Sequence, residues 1–418
     1  MISKRAHHRR RARLRGFGYF KGIGPGLVTG AADDDPSGIG TYSQVGASLR
    51  FDLLWTTLVC LPLAAAVVEL AARLGLVTDK GLAAVVRERF PRVVVYPVLL
   101  LVVVANSFNV GADLGSMGAS LRLLLPVPQL LGVVAFAVVI TLLEVRVPYD
   151  RYARMLRWLA LSLGAYIGVL FAVHVPWGEV LRHTVIPHLA ADRTHLAALI
   201  AIFGTTISPY LCFWQAAEEV EEHDETRDTL TVRQLRSMRV DVLAGIGAGV
   251  AIMFAILTAT AVTLGKHPGN IETADQAAQA LKPVAGSFAS LLFTVGIVGT
   301  GLLAVPTLVG SSAYALAEAF HWREGLSKSL RQAPGFYAVI VAGMAVGVGL
   351  NLAGVDPIRA LFAAAVLNGL AAPPVIVLML LASRSDALGR WASGRVSIAL
   401  VSVAALVMTV LPVWYLLA

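Results

Sequence analysis

Gly24-Pro25-Gly26, then Asp33-Asp34-Asp35-Pro36-Ser37-Gly38, is the stretch that decides the fold. It stands inside an apolar run from about residue 22 to 47. Three carboxylates and a proline near the middle of a membrane-length segment do not suit a regular helix facing lipid. Charge inside a bilayer span is costly and marks function. Proline removes a backbone donor and clashes with the preceding turn, and Gly38 and Gly40 admit unusual backbone angles. The simplest account is a helix broken near the membrane midplane, with carbonyls and carboxylates facing a cavity. Discontinuous helices of this kind build the ion sites of secondary transporters.

The rest of the chain supplies the membrane. Hydrophobic residues make up 57% of its 418 residues and charged residues 14%. Soluble domains carry about 25% charge, so a soluble enzyme is excluded. A span needs roughly 20 mainly apolar residues. Eleven segments qualify: 22–47, 52–75, 94–125, 128–145, 155–176, 194–217, 239–265, 286–313, 335–354, 357–382 and 396–417. The third is long enough to tilt or to end in a surface turn.

The net charge of +8 resides in residues 1–21, which hold eight Lys/Arg and no acid. This tail reads as a cytoplasmic anchor rather than a nucleic-acid arm. With it inside, 27 of the 34 Lys/Arg fall on the cytoplasmic side, as the positive-inside rule requires. The expectation is a cell-membrane protein (bacterial inner membrane or plasma membrane), N-terminus in and C-terminus out. Two cysteines, Cys60 and Cys212, make neither a disulfide framework nor a zinc signature.

Span 6 is interrupted too, at Gly204-Thr205-Thr206-Ile207-Ser208-Pro209-Tyr210. Alone this is a proline kink with hydroxyls bonding their own helix. Its position changes the reading, because matching interruptions in two halves point to a transport site. Residues 22–176 (spans 1–5) and 194–382 (spans 6–10) therefore pair as inverted repeats, with 396–417 added as span 11.

These motifs resemble the NRAMP family of divalent-metal transporters. Its pattern Gly-Pro-Gly, eight residues, Asp-Pro-Gly-Asn reads here as Gly24-Pro25-Gly26 through Asp35-Pro36-Ser37-Gly38. Glu69-Leu-Ala-Ala-Arg73-Leu-Gly75 and Arg87-Glu88-Arg89-Phe90-Pro91 are also similar to it. The resemblance covers about residues 22–383. It implies an all-α, LeuT-like five-plus-five fold of eleven spans, with helices 1 and 6 broken and the ion held between the breaks.

The departures carry information. The family's asparagine is Gly38 here, and its span 6 alanine, methionine, proline and histidine fall at Thr205, Ser208, Pro209 and Tyr210. A second histidine is replaced by Gln215. Two acids of span 3, linked in the family to proton movement, align with Asn109 and Ala112, and Asp113 stands one residue later. The set is most similar to the NRAMP-related magnesium transporters. Thioether sulfur suits transition metals, whereas carboxylate, carbonyl and water suit Mg²⁺, Ca²⁺ or Mn²⁺.

The implied function is a divalent-cation carrier or facilitator, Mg²⁺ first and Mn²⁺ next, working by alternating access with weak or absent proton coupling. The metal is substrate; no cofactor, nucleic-acid partner or covalent chemistry is implied. The expected metal residues are Asp35, Gly38, Thr205 and Ser208. Asp34, Tyr210, Gln215, Asn109, Asp113 and Asn368 are candidates for the cavity around them. Asn109 and Asp113, four apart, share a face of span 3 and read equally as a cavity wall or as interhelical hydrogen bonding. The alternative function is an organic-solute or anion carrier of the same fold, against which the Asp35 carboxylate counts. Glu69 reads as a structural partner of Arg73. The acids from Glu218 to Asp228 read as a solvated loop, and His174, His183, His188 and His195 as scattered rather than at ligand spacing.

Overall fold

The computed structural model describes residues 35–147, 161–226, 230–266, 269–384 and 388–417. Among them are helices and turns and no strand. The helices are α1 (Pro36–Leu49), α2 (Trp55–Thr78), α3 (Leu82–Arg89), α4 (Arg92–Leu121), α5 (Gln129–Arg146) and α6 (Gly164–Ala172). Then come α7 (Trp177–Val185), α8 (Arg193–Thr206), α9 (Pro209–Thr226), α10 (Val232–Thr263) and α11 (Ala274–Gln279). The last are α12 (Lys282–Ala285), α13 (Ala289–Phe320), α14 (Pro334–Leu352), α15 (Pro357–Ala382) and α16 (Arg395–Leu417).

Nine segments among the described residues are long and apolar enough to cross a membrane. The first and fifth expected spans are described only from residues 35 and 161. Gly24-Pro25-Gly26, Asp33 and Asp34 therefore lie outside the described residues. The third span ends at Leu121 in turns, as its length suggested.

Lipid and core sort the helices. In α5, α14 and α16 only 28% of the most apolar stretch is buried, against 94% in α8–α9. A helix apolar all round but largely exposed is soluble only in lipid. The interrupted span, by contrast, runs through the centre of the protein.

Its interruption has a local cause. Pro209 has no amide to donate to the Thr205 carbonyl. The Ser208 hydroxyl takes that place, donating to the carbonyls of Thr205 and Gly204 at 2.8 Å each. The helix stops at Ile207 and restarts at Pro209. Beside this break α8 meets α15 backbone to backbone. A Cβ on Gly204 would stand 2.1 Å from the Ala365 carbonyl oxygen and 2.4 Å from the Gly369 nitrogen.

The other end of the bundle is tied by ions. Glu69 accepts from Arg73, as its four-residue spacing suggested. It also accepts from Arg239 Nε of α10 at 2.8 Å, and Arg73 donates onward to the Trp391 carbonyl at 2.6 Å.

The acids after span 6 depart from expectation. Glu218 to Glu222 continue α9 as helix instead of forming a solvated loop. Glu219 is buried and accepts from Gln215 at 2.9 Å. Glu221 accepts from the Tyr314 hydroxyl and from the Leu326 amide, the latter at 2.8 Å. Glutamate is a good helix former, and these side chains find partners on α9 and α13 that spacing along the chain does not disclose.

Candidate functional site

Asp35 begins the site as the N-cap of α1. Its Oδ1 accepts from the Gly38 amide at 2.6 Å, and Pro36 occupies the first helical position, where no donor is needed. Gly38, expected among the metal residues, supplies this capping amide, and its carbonyl is the atom it could offer a cation.

The other Asp35 oxygen, Oδ2, accepts from Asn109 Nδ2 of α4 at 3.2 Å. One turn further along α4, Asp113 is fully buried and within Coulombic reach of Asp35. The Ser37 amide lies near it, but neither Asp113 oxygen makes a hydrogen bond of normal geometry. The Asn109 Oδ1 is likewise buried without a partner. The structure thus brings Asp35, Asn109 and Asp113 together. Asn109 bonds across helices, and its other amide atom is an unpartnered acceptor in the same group.

The span 6 residues approach from the other side. α8 packs on α1 through a 2.9 Å hydrogen bond between Tyr42 and Thr206. Thr205 Oγ1 is buried and unpartnered. Ser208 has spent its proton on the freed carbonyls, so its oxygen can still accept. Neither side chain hydrogen-bonds to Asp35. Asn368 of α15, next to the Gly204–Gly369 crossing, is fully buried, and both its amide atoms lack partners. Tyr210 is buried in the first turn of α9. Gln215 is buried too and donates to Glu219 at 2.9 Å.

Orphaned polar atoms are rare in a native interior and call for a ligand, ion or water. Here they belong to carboxylate, amide and hydroxyl groups: Asp113 and Asn109 beside the start of α1, Thr205 at the break in span 6, and Asn368 on α15. Oxygen donors of this kind suit a hard divalent cation. The described part of the group holds no sulfur.

A family model described as natural resistance-associated macrophage protein-like, Nramp, matches residues 26–418. The chain belongs to the Nramp family. The divalent metal cation transporter MntH of Acidiphilium cryptum is 29% identical to this Nramp chain over 386 residues, spanning 88% of it and 83% of the relative. MntH of Deinococcus radiodurans is 29% identical over 388 residues, 89% of this chain and 84% of that one. Among solved structures, the Eremococcus coleocola manganese transporter superposes with a TM-score of 0.73 at 20% identity, covering 95% of this chain and 87% of that one. Mhp1, a nucleobase-cation-symport-1 family transporter, superposes with a TM-score of 0.57 at 14% identity, covering 94% and 92%. At such identities the likeness is one of fold. It places this Nramp protein in the LeuT-type architecture that its two interrupted spans suggested.

Ser37 is a further residue of the group: its buried hydroxyl lies near the Asp35 carboxyl and its amide near Asp113. Its neighbourhood with Asp35 was the available signal. Scattered along the sequence, three of the four histidines are brought together by the fold. His183, His188 and His195 converge on Asp52, a residue never singled out. They lie in α7, the following loop and α8, so nothing in their spacing signals that the chain folds back onto the α1–α2 turn.

Proposed function

We propose that this protein carries divalent metal cations across the cell membrane by alternating access, the ion held between the interruptions of spans 1 and 6. The observation that carries this reading is the buried group of Asp35, Asn109 and Asp113 at the start of α1. Two carboxyls close together fit one doubly charged cation and repel an anion, which counts against a carrier of organic anions. Thr205, Ser208 and Asn368 complete the donors from α8 and α15, directly or through water.

The ion's identity follows from the donor set. Ser208 stands where sulfur would favour a transition metal, which supports Mg²⁺ first and Mn²⁺ next. The manganese named for the solved relative supports Mn²⁺, so competition between the two ions settles their order. Asn109 and Ala112 in place of two span 3 acids support weak or absent proton coupling. The excess of Lys/Arg in alternate loops supports a cytoplasmic N-terminus.

Uptake into liposomes of Mg²⁺, Mn²⁺ and Ca²⁺, with internal pH followed alongside, tests the reading. The wild type is expected to accumulate Mg²⁺ and Mn²⁺, and Asp35→Ala to fall to background. Fluxes of both proteins that do not depend on the metal would overturn it. Ser208→Met is expected to raise transition metals against Mg²⁺, and an unchanged ratio would remove sulfur from the explanation.

A further inference from the structure

The turn between α1 and α2 carries Asp52, and three histidines from a distant part of the chain reach it. His195 Nε2 lies 3.4 Å from Asp52 Oδ2. His183 Nδ1 lies 3.7 Å from Asp52 Oδ1. One ligand atom each from Asp52, His188 and His195 falls within 4.8 Å of the others. The rings of His188 and His195 meet edge-on, with centroids 6.1 Å apart.

The cluster is supported from behind. His195 Nδ1 lies 2.6 Å from Asp192 Oδ2. The other Asp192 oxygen is fixed by the amides of Thr194 and His195 at 2.9 and 3.1 Å, where it caps α8. With its Nδ1 proton given to Asp192, His195 presents a lone pair at Nε2 toward Asp52. A carboxylate behind a ligating imidazole is the usual support of a protein-bound metal ion. His188 is held by its carbonyl, which accepts from Trp55 Nε1 at 3.3 Å.

We propose that Asp52, His188 and His195, with His183 as fourth ligand, bind a divalent transition-metal ion of the zinc class. Three imidazoles and one carboxylate suit Zn²⁺ and are poor ligands for Mg²⁺. The site is separate from the Asp35 group in both place and chemistry. Asp52 lies just before α2, whereas Arg73 lies near the far end of that helix, roughly 30 Å away at 1.5 Å per residue. The cluster therefore occupies the membrane face opposite the arginine-rich loops. Zinc ligands about 2.0–2.1 Å from the metal stand roughly 3.3–3.5 Å apart. Closing from 4.8 Å asks for about an ångström of side-chain movement, which partly exposed residues can make. A bound ion would join the α1–α2 turn to the start of α8, linking the two interrupted spans.

Full-length protein in detergent, carrying Asp35→Asn so that the transport site does not report, is titrated with Zn²⁺ by calorimetry and with Co²⁺ by visible absorption. One Zn²⁺ per chain is expected, with the intense Co²⁺ bands of four-coordinate nitrogen and oxygen ligation. His188→Ala and His195→Ala are each expected to weaken Zn²⁺ at least tenfold, and His174→Ala to leave it unchanged. Thermal unfolding of the same Asp35→Asn chain gives a second reading. Zn²⁺ should raise its Tm, and should not raise that of the two histidine variants. Absence of saturable Zn²⁺ binding, or binding that survives both substitutions unchanged, would overturn the site.

Discussion

Asp35 caps a helix and takes a hydrogen bond from Asn109, so its carboxylate is oriented before any ion arrives. Much of this was legible in the chain. An acid before a proline in an apolar run has few structural uses, and Asp35 announced itself. What α4 contributes was less legible, because a four-residue spacing shows that Asn109 and Asp113 share a face but not what that face meets. The capping role of the Gly38 amide was hidden for a related reason: motif position shows where a residue falls, not what its amide bonds to. Asn109→Ala tests the residue scale. A hydrogen bond to a charged group contributes about 1.5–3 kcal/mol, and the substitution also removes a free amide oxygen. The expected outcome is a ten- to hundredfold rise in KM for the ion, with a lower Tm in the absence of the ion because the buried Asp35 Oδ2 loses its donor. Unchanged KM in the liposome assay would separate Asn109 from the ion.

At the scale of elements, the interruption in span 6 depends on two small features. Pro209 withholds a donor, and Ser208 repairs the exposed carbonyl. The break between Gly204 and Tyr210 was visible in the sequence, although not the residue at which the helix stops. The close approach of α8 to α15 was not, since Gly204 reads equally as a flexible link. The structure shows that it is needed for space: its Cβ would strike the backbone of Ala365 and Gly369, which cannot swing aside as a side chain can. Gly204→Ala should therefore separate the two helices next to Asn368. Overpacking costs typically 1–3 kcal/mol, so a lower Tm is expected together with weaker ion uptake. Gly247 of α10 has nothing within 4 Å of its Cβ position, and Gly247→Ala is the matched control expected to leave Tm unchanged or higher. Equal Tm values for the two variants would refute the packing argument.

For the whole molecule, the arginine-rich face is where distant elements are locked. Glu69 of α2 joins Arg73 and Arg239, and Arg73 continues to Trp391. Its i,i+4 half was legible, and the contacts with α10 and the Trp391 turn belong to tertiary structure. Arg73 is buried, so Glu69→Ala leaves an unpaired buried charge, a loss of about 3–5 kcal/mol. Arg239 is 48% exposed at its side chain, and Arg239→Ala should cost no more than about 1 kcal/mol. Thermal unfolding of both variants in one detergent gives the comparison, and similar losses would disprove the difference.

The same face holds a cavity of about 230 Å³ lined by Glu221, Tyr314, Glu318, Glu324 and Lys328. Glu324 lies in the turn after α13, outside the spans. Burial above all pushes its carboxyl up from 4.5 to about 7; Lys328 pulls it back, Glu221 raises it further and Arg87 lowers it. Such an acid keeps its proton in the folded protein at pH values where the unfolded chain has lost it. The stability this contributes is therefore full below about 4.5 and is lost as pH rises through about 7. Other groups titrate over the same range, so the informative quantity is the difference between wild type and Glu324→Gln. Glutamine imitates the protonated acid and cannot ionise beside Glu221. The two proteins should unfold at similar temperatures at pH 5, and Glu324→Gln at the higher temperature at pH 7.5 and above. A Tm difference that stays constant from pH 5 to 8 would show that ionisation of Glu324 does not act on the fold.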